Sequence, residues 1–357
     1  MSSELEDRLE GLLADAPEPD PGAGEEALHR ALTAVHPAAP ARRGVRTAVL
    51  VFAAAVVLLV IAAGSLAAAG ALHVSFGAKP KPPPSTTQLS LPRGADGIAV
   101  IVDGRLSVAT RGGFRLQVPA TAAALSPHAL FVAAGIGQSL VAMAPNGRRA
   151  WSHPAGGRVV GIAWAPLGNR IAYVVRTAKR VVLHVIWGNG TNDSVIDRSV
   201  RAVRPSWRGN SLAFAYVGAG GRAIVYDVAH QSRQLVPVHA PVTGVAFAPT
   251  GDSIAVEQPT GVWVLHQSAA TDIRDTVDSY GWHGGRLGVA VPGLDSVVVR
   301  LVAPDGASRG SIRVHGTVVA VTPKLIVTRN GQSLVAGRTK LLTVPRGASV
   351  EDVEIGY

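Results

Sequence analysis

Cysteine is absent from all 357 residues. That excludes disulfide staples, thiolate metal sites and a lipidated cysteine anchor together. Aromatic residues make up only 5% of the chain and are not interleaved with its basic residues, so the stacking platforms that bind nucleic acid are not expected. Catalytic spacing is also missing. None of the eleven histidines forms a His-x-x-x-His or His-Glu-x-x-His pair; His128, His153, His184, His230, His239, His266, His283 and His315 fall singly and read as turn or surface residues. The run Gly306-Ala307-Ser308-Arg309-Gly310 matches the nucleophile-elbow pattern literally. An elbow needs a strand-to-helix turn in an α/β sheet, whereas Asp305-Gly306 opens a turn between two short strands, so the match is one of letters. Asp252, Asp272, Asp275 and Asp278 gather loosely and read as solvated loop carboxylates, with a cation at a channel mouth as the alternative. No catalytic, cofactor-binding or metal-ligating residue is therefore assigned, and the binding residues stay unnamed.

What the chain does have is an uncharged run from Thr47 to Ala78, entered through Arg42, Arg43 and Arg46 and left through Lys79 and Lys81. Its most apolar part, residues 47–72, is roughly 39 Å long as a helix, enough to cross a hydrocarbon core of about 30 Å with some tilt. A buried core helix lacks the necessary polar face, and a cleaved signal peptide would carry an unusually long preamble. The expectation is one transmembrane helix. Three flanking cations before it against two after it favour a cytoplasmic N-terminus. Charge divides at the same place: residues 1–46 hold nine Asp/Glu and five Arg, and residues 79–357 hold fifteen Asp/Glu and twenty-nine Lys/Arg. A basic exterior domain suits anionic surfaces such as lipid headgroups or wall polymers, although these Arg residues are scattered along the sequence.

Residues 1–46 read as a cytoplasmic tail of short amphipathic helices. Ser3 stands at an N-cap with Glu6 at capping-box spacing, and Leu5, Leu9, Leu12 and Leu13 share a face. Such a face suits a protein partner. Residues 73–94 form a Pro-rich linker through KPKPPPSTTQ.

From residue 95 to 357 the sequence is short apolar strands punctuated by DG, NG and GG turns. An apolar or aromatic residue closing one strand recurs at Leu125, Trp164, Trp207, Phe247, Trp282 and Val321, at intervals of 35 to 43 residues. Four of these anchors carry proline two positions on, at Pro127, Pro166, Pro249 and Pro323, where it starts a turn. A period near 40 with about four strands per unit predicts β-propeller blades. The strands GIAVIV, RLSVAT and FRLQVPA lack an anchor strand, and the C-terminal SVEDVEIGY is an orphan. Joining them predicts a seventh blade closed by both ends of the chain, with a six-bladed propeller as the alternative.

The units WAPLGNRIAYVV and FAPTGDSIAVE resemble the WD-repeat-like propeller repeat of the TolB type, whose unit reads W-S-P-D-G before an apolar strand. The Asp of that unit is absent here throughout. The layout of acidic tail, single span and propeller is similar to actinobacterial membrane proteins of this kind and to transmembrane anti-sigma factors; the zinc form of the latter needs cysteines that His29 and His36 do not have. A full set of blades with no convergent acid, base or nucleophile, behind one expected span, leads to the expectation of a membrane-anchored, extracytoplasmic, non-enzymatic module that binds a protein or an anionic envelope component at the propeller face, without cofactor. An anti-sigma-like regulator with a cytoplasmic partner for residues 1–46 is the alternative, and a propeller lyase or hydrolase a more distant one.

Overall fold

The computed structural model describes residues 89–357, apart from 114, 145–146, 240, 250–251, 267–268, 274–276 and 294–295. The expected tail, the apolar segment 47–72 and the linker up to residue 88 lie outside the described residues. Among the described residues no helix is long and apolar enough to cross a membrane.

The described chain forms seven four-stranded antiparallel sheets, the blades of a β-propeller. Blade 1 is assembled from both ends: β1 (Gly97–Val102), β2 (Arg105–Thr110) and β3 (Arg115–Pro119) follow the innermost strand β28 (Val350–Gly356). The others run consecutively from the centre outwards. Blade 2 holds β4 (Ala123–Leu125), β5 (Val132–Ile136), β6 (Ser139–Met143) and β7 (Arg149–Pro154). Blade 3 holds β8 (Arg158–Trp164), β9 (Arg170–Arg176), β10 (Val181–Trp187) and β11 (Ser194–Asp197). Blade 4 holds β12 (Ser206–Trp207), β13 (Ala213–Val217), β14 (Ala223–Asp227) and β15 (Ser232–Leu235). Blade 5 holds β16 (Gly244–Phe247), β17 (Ile254–Gln258), β18 (Gly261–His266) and β19 (Ala269–Ile273). Blade 6 holds β20 (Ser279–His283), β21 (Arg286–Pro292), β22 (Val297–Val302) and β23 (Ser308–Val314). Blade 7 holds β24 (Thr317–Val321), β25 (Ile326–Asn330), β26 (Ser333–Ala336) and β27 (Thr339–Thr343).

Every anchor expected from the repeat falls in an innermost strand, and its job is to join neighbours. Trp207 Nε1 donates to the Ala163 carbonyl of the preceding blade at 3.0 Å, and Trp282 Nε1 does the same to Ala246 at 3.0 Å. Each ring thus buries its bulk between two blades while its one polar atom meets a backbone acceptor. Among the described residues, apolar clusters fill all seven gaps between blades.

The closure is a ladder between β28 and β1 in which Ile355 faces Ile98 and Val353 faces Val100. Strict alternation would put Val350 and Val353 on opposite faces. A bulge at Glu351 brings Val350 opposite Val102, which lets three apolar residues share one face. Tyr357 packs on the core between blades 7 and 1, as Trp164 packs on the core between blades 2 and 3, and its hydroxyl lies 3.0 Å from Thr322 Oγ1. Leu89 is buried in that same cluster, and the Ser90 amide donates to the Leu341 carbonyl.

Close blade approach needs glycine at Gly281 of β20, where a methyl group would collide with the Val321 carbonyl oxygen of blade 7. That oxygen is backbone in a paired strand and has little room to yield. Gly281→Ala should cost about 1–3 kcal/mol, read as a lower urea midpoint with an unchanged slope.

Candidate protein-binding face

Each blade's innermost strand runs towards the same side of the propeller. The turns to the second strand therefore lie together on that side, here the upper face; the turns between second and third strands lie on the lower face. The anchors end at the upper face, where Trp164, Phe247 and Pro323 line the mouth of a central channel of about 500 Å³.

Across the channel, Arg204 from the connection ahead of β12 reaches β28 of blade 1. Its Nη2 lies 2.8 Å from Glu354 Oε2 and its Nη1 3.5 Å from Asp352 Oδ1. This strut links parts of the chain 150 residues apart. Burial pushes the Glu354 carboxyl above its ordinary range, and the nearby Arg204 charge offsets that only in part. Burial works against the Arg204 charge, but Glu354 and Asp352 outweigh it and hold the guanidinium above its usual range. On the next wall, burial and then the charge of Glu257 push the Tyr280 hydroxyl up, and burial likewise raises Glu257.

The rim of the mouth is apolar on one side. Leu130 and Phe131 in the blade 2 turn are 58% and 38% exposed, Leu167 in the blade 3 turn 69%, and Leu212 in the blade 4 turn 51%. Contacts join these turns into one surface: Phe131 stacks on Trp164 at 6.3 Å, and the Leu167 amide donates to Ser211 Oγ at 2.9 Å. Single exposed leucines are ordinary; equivalent exposed side chains on three successive turns form a patch.

The histidines are not all solitary. His184 Nδ1 of β10 and His153 Nε2 of β7 both approach Asp193 Oδ2, at 3.0 and 3.4 Å, and the Tyr173 hydroxyl donates to Asp193 Oδ1 at 2.8 Å. Sequence spacing separates these four; the contact between blades 2 and 3 unites them. Burial acts to raise the Asp193 carboxyl, but hydrogen bonds from His184 and Tyr173 and the charges of His184 and His153 outweigh it and hold it below its ordinary value. A depressed carboxylate contributes stability above its unfolded pKa and loses it as pH falls through the folded value. Asp193→Asn should therefore cost about 1–3 kcal/mol at neutral pH and flatten the loss of stability below roughly pH 4, both readable by urea denaturation across pH.

The remaining candidates are dispersed. Ser308 opens β23, the outermost strand of the antiparallel blade 6, and is exposed, so it does not stand on the strand-to-helix turn that a nucleophile elbow needs. Asp252 in the β16–β17 turn pairs with Arg208 at 3.5 Å, Asp272 lies in outermost β19 and Asp278 just before β20, while Asp275 is outside the described residues. Trp151 is an inter-blade contact through Nε1 and the Gly188 carbonyl at 2.9 Å, whereas Trp187 is 44% exposed under Arg170. Among the described residues no group of three or more His, Asp or Glu side chains has an arrangement that could hold a metal ion, the contact of His153 and His184 with Asp193 included.

No protein-family model matches the chain, and no curated protein matches it. Among solved structures it is similar to TolB from Acinetobacter baumannii, at 15% identity over 64% of this chain and 67% of that one, with a TM-score of 0.45. It is similar also to a protein described as TolB from Agrobacterium tumefaciens, at 14% identity over 62% of this chain and 90% of that one, with a TM-score of 0.41.

Proposed function

We propose that the propeller is a non-enzymatic protein-binding module of the cell envelope, held at the membrane by residues 47–72 with the N-terminus in the cytoplasm. The observation that carries the binding role is the patch formed by Leu130, Phe131, Leu167 and Leu212 beside the channel mouth. It is rigid, because closed blades hold the turns that bear it, and a preorganised apolar surface loses little entropy when a partner covers it. The channel carboxylates weigh towards architecture and against a lyase or hydrolase, since Arg204 engages both Asp352 and Glu354.

Photo-crosslinking in the full-length chain tests the face. A crosslinker at Leu167 or Leu212 should capture a discrete partner that one at Ala178, on the lower face, does not, and Leu167→Asp with Leu212→Asp should weaken capture about tenfold or more. Equal capture from Ala178 would remove the upper face from consideration. The topology has its own test: a reporter fused after Tyr357 should be active only if it works outside the cytoplasm.

The leucine face at Leu5, Leu9, Leu12 and Leu13 supports a second reading, a transmembrane regulator whose tail holds a cytoplasmic protein in the manner of an anti-sigma factor. Pull-down with residues 1–46 decides it: a tail that recovers no partner and stays unstructured by circular dichroism ends that reading.

A further inference from the structure

The lower face of blades 3 and 4 gathers cations that the sequence scatters. Arg158 opens β8 directly opposite Arg176 at the end of β9, and Lys179 and Arg180 cap the β9–β10 hairpin between blade 3's second and third strands. Blade 4 continues the surface. The Val200 amide donates to the Val181 carbonyl, the Arg201 amide to the Val217 carbonyl, and the Arg201 guanidinium lies against Gly221, next to Arg222 in the β13–β14 hairpin. All six of these cations are exposed, and Arg198 in the same connection adds another.

Among the described residues none of them takes part in an ion pair. The acidic residue that precedes that connection, Asp197 at the end of β11, is already held by the Tyr216 hydroxyl at 3.0 Å and by Arg233 at 3.7 Å. The array is thus uncompensated, and it sits on hairpin tips and strand ends, the parts that protrude. Beside it at the rim of blade 4, Leu235 is 53% exposed.

We propose that this face docks on an anionic phospholipid surface. Guanidinium groups match phosphate oxygens in a planar fork. A protruding array spread over two blades meets many headgroups of a flat leaflet at once, and an exposed leucine at its rim enters the acyl boundary. A single-stranded nucleic acid would call for a groove with stacked aromatics, and no exposed aromatic accompanies these cations among the described residues. The sixteen residues between the expected span and Leu89 reach at most roughly 55 Å, so a tethered propeller never leaves the neighbourhood of the bilayer. The inference goes beyond the protein-binding role, which belongs to the opposite face, and stands or falls separately from it.

The test uses residues 83–357, a compact unit that holds all seven inter-blade cores found among the described residues, so that the apolar segment cannot insert on its own account. Vesicles of phosphatidylcholine alone and vesicles mixed with phosphatidylglycerol are compared by co-sedimentation. Binding should appear with phosphatidylglycerol and fall steeply with salt. The charge reversals Lys179→Glu, Arg180→Glu and Arg222→Glu together should weaken it by the order of 100-fold, at roughly fivefold per cation. Arg93→Glu, Arg338→Glu and Lys340→Glu, which change net charge equally near the upper face, should leave it within about twofold. No dependence on phosphatidylglycerol, or equal losses from the two triples, overturns the proposal. So does capture of long-chain inorganic polyphosphate without vesicle binding, which would make the partner a soluble polymer.

Discussion

Deletion of residues 349–357 should unfold or aggregate the propeller outright. Those residues are not a terminus in the structural sense: they form the innermost strand of blade 1, with the whole length of β1 as their ladder partner. Removing them strips Val353, Ile355 and Tyr357 from the core between blades 7 and 1. At roughly 2 kcal/mol for each large buried side chain, with the ladder bonds in addition, the loss approaches the 5–15 kcal/mol that holds a typical domain together. It also leaves the β1 edge open at the centre of the molecule, a template for pairing with another chain. The expected result is loss of the cooperative melt and a shift to high-mass species in size exclusion, partly reversed by the synthetic peptide of residues 349–357 added in trans. A milder variant separates packing from edge exposure. Val353→Ala keeps the strand and should cost about 1–3 kcal/mol without aggregation. Should the truncated chain melt within a degree or two of the full-length protein, the blade 1 closure would not be what holds the ring.

That closure was legible in the sequence because it follows from counting. Anchors such as Trp164, Phe247 and Trp282 repeat, the first strands have no anchor ahead of them, and SVEDVEIGY has no blade of its own. Strand alternation and turn residues are local signals, and the period of the repeat sums them. What the repeat does not encode is which residues of different blades meet. Asp193 meets His153 because β7 and the loop after β10 lie side by side across a blade boundary, and Arg204 meets Glu354 because the ring is closed. The bulge at Glu351 was equally hidden: the spacing of Val350, Val353 and Ile355 breaks period two, and only the partner strand shows where the extra residue goes. The basic lower face belongs to the same class. Arg158, Arg180 and Arg222 each sit where a blade's turn requires a solvated residue, and no linear run of charge announces them.

Loss of the Arg204 side chain should be felt across the whole ring, and in a way that depends on pH. Arg204→Met keeps most of the aliphatic stem while leaving Glu354 and Asp352, side by side on β28, without the counter-charge they share. Breaking a fully buried pair costs about 3–5 kcal/mol. Arg204 keeps 39% of its side-chain surface exposed, so solvent screening reduces the expectation to about 1–3 kcal/mol at neutral pH. The sign of the pH effect follows from Glu354. Its folded carboxyl is held above its unfolded value by burial even with Arg204 present, so the folded state keeps a proton that the unfolded state gives up. Stability from this group is present below the unfolded pKa and is lost as pH rises through the folded one. Without Arg204 the folded value moves higher still. The variant should therefore be closest to the parent near pH 4 and fall progressively behind it towards neutrality, in urea midpoints measured across that range. Adding Glu354→Gln to Arg204→Met should restore most of the neutral-pH loss, because it removes the stranded charge while keeping an acceptor for the Leu125 amide that Glu354 engages. If the double variant is as unstable as the single one, the strut acts through packing and not through charge.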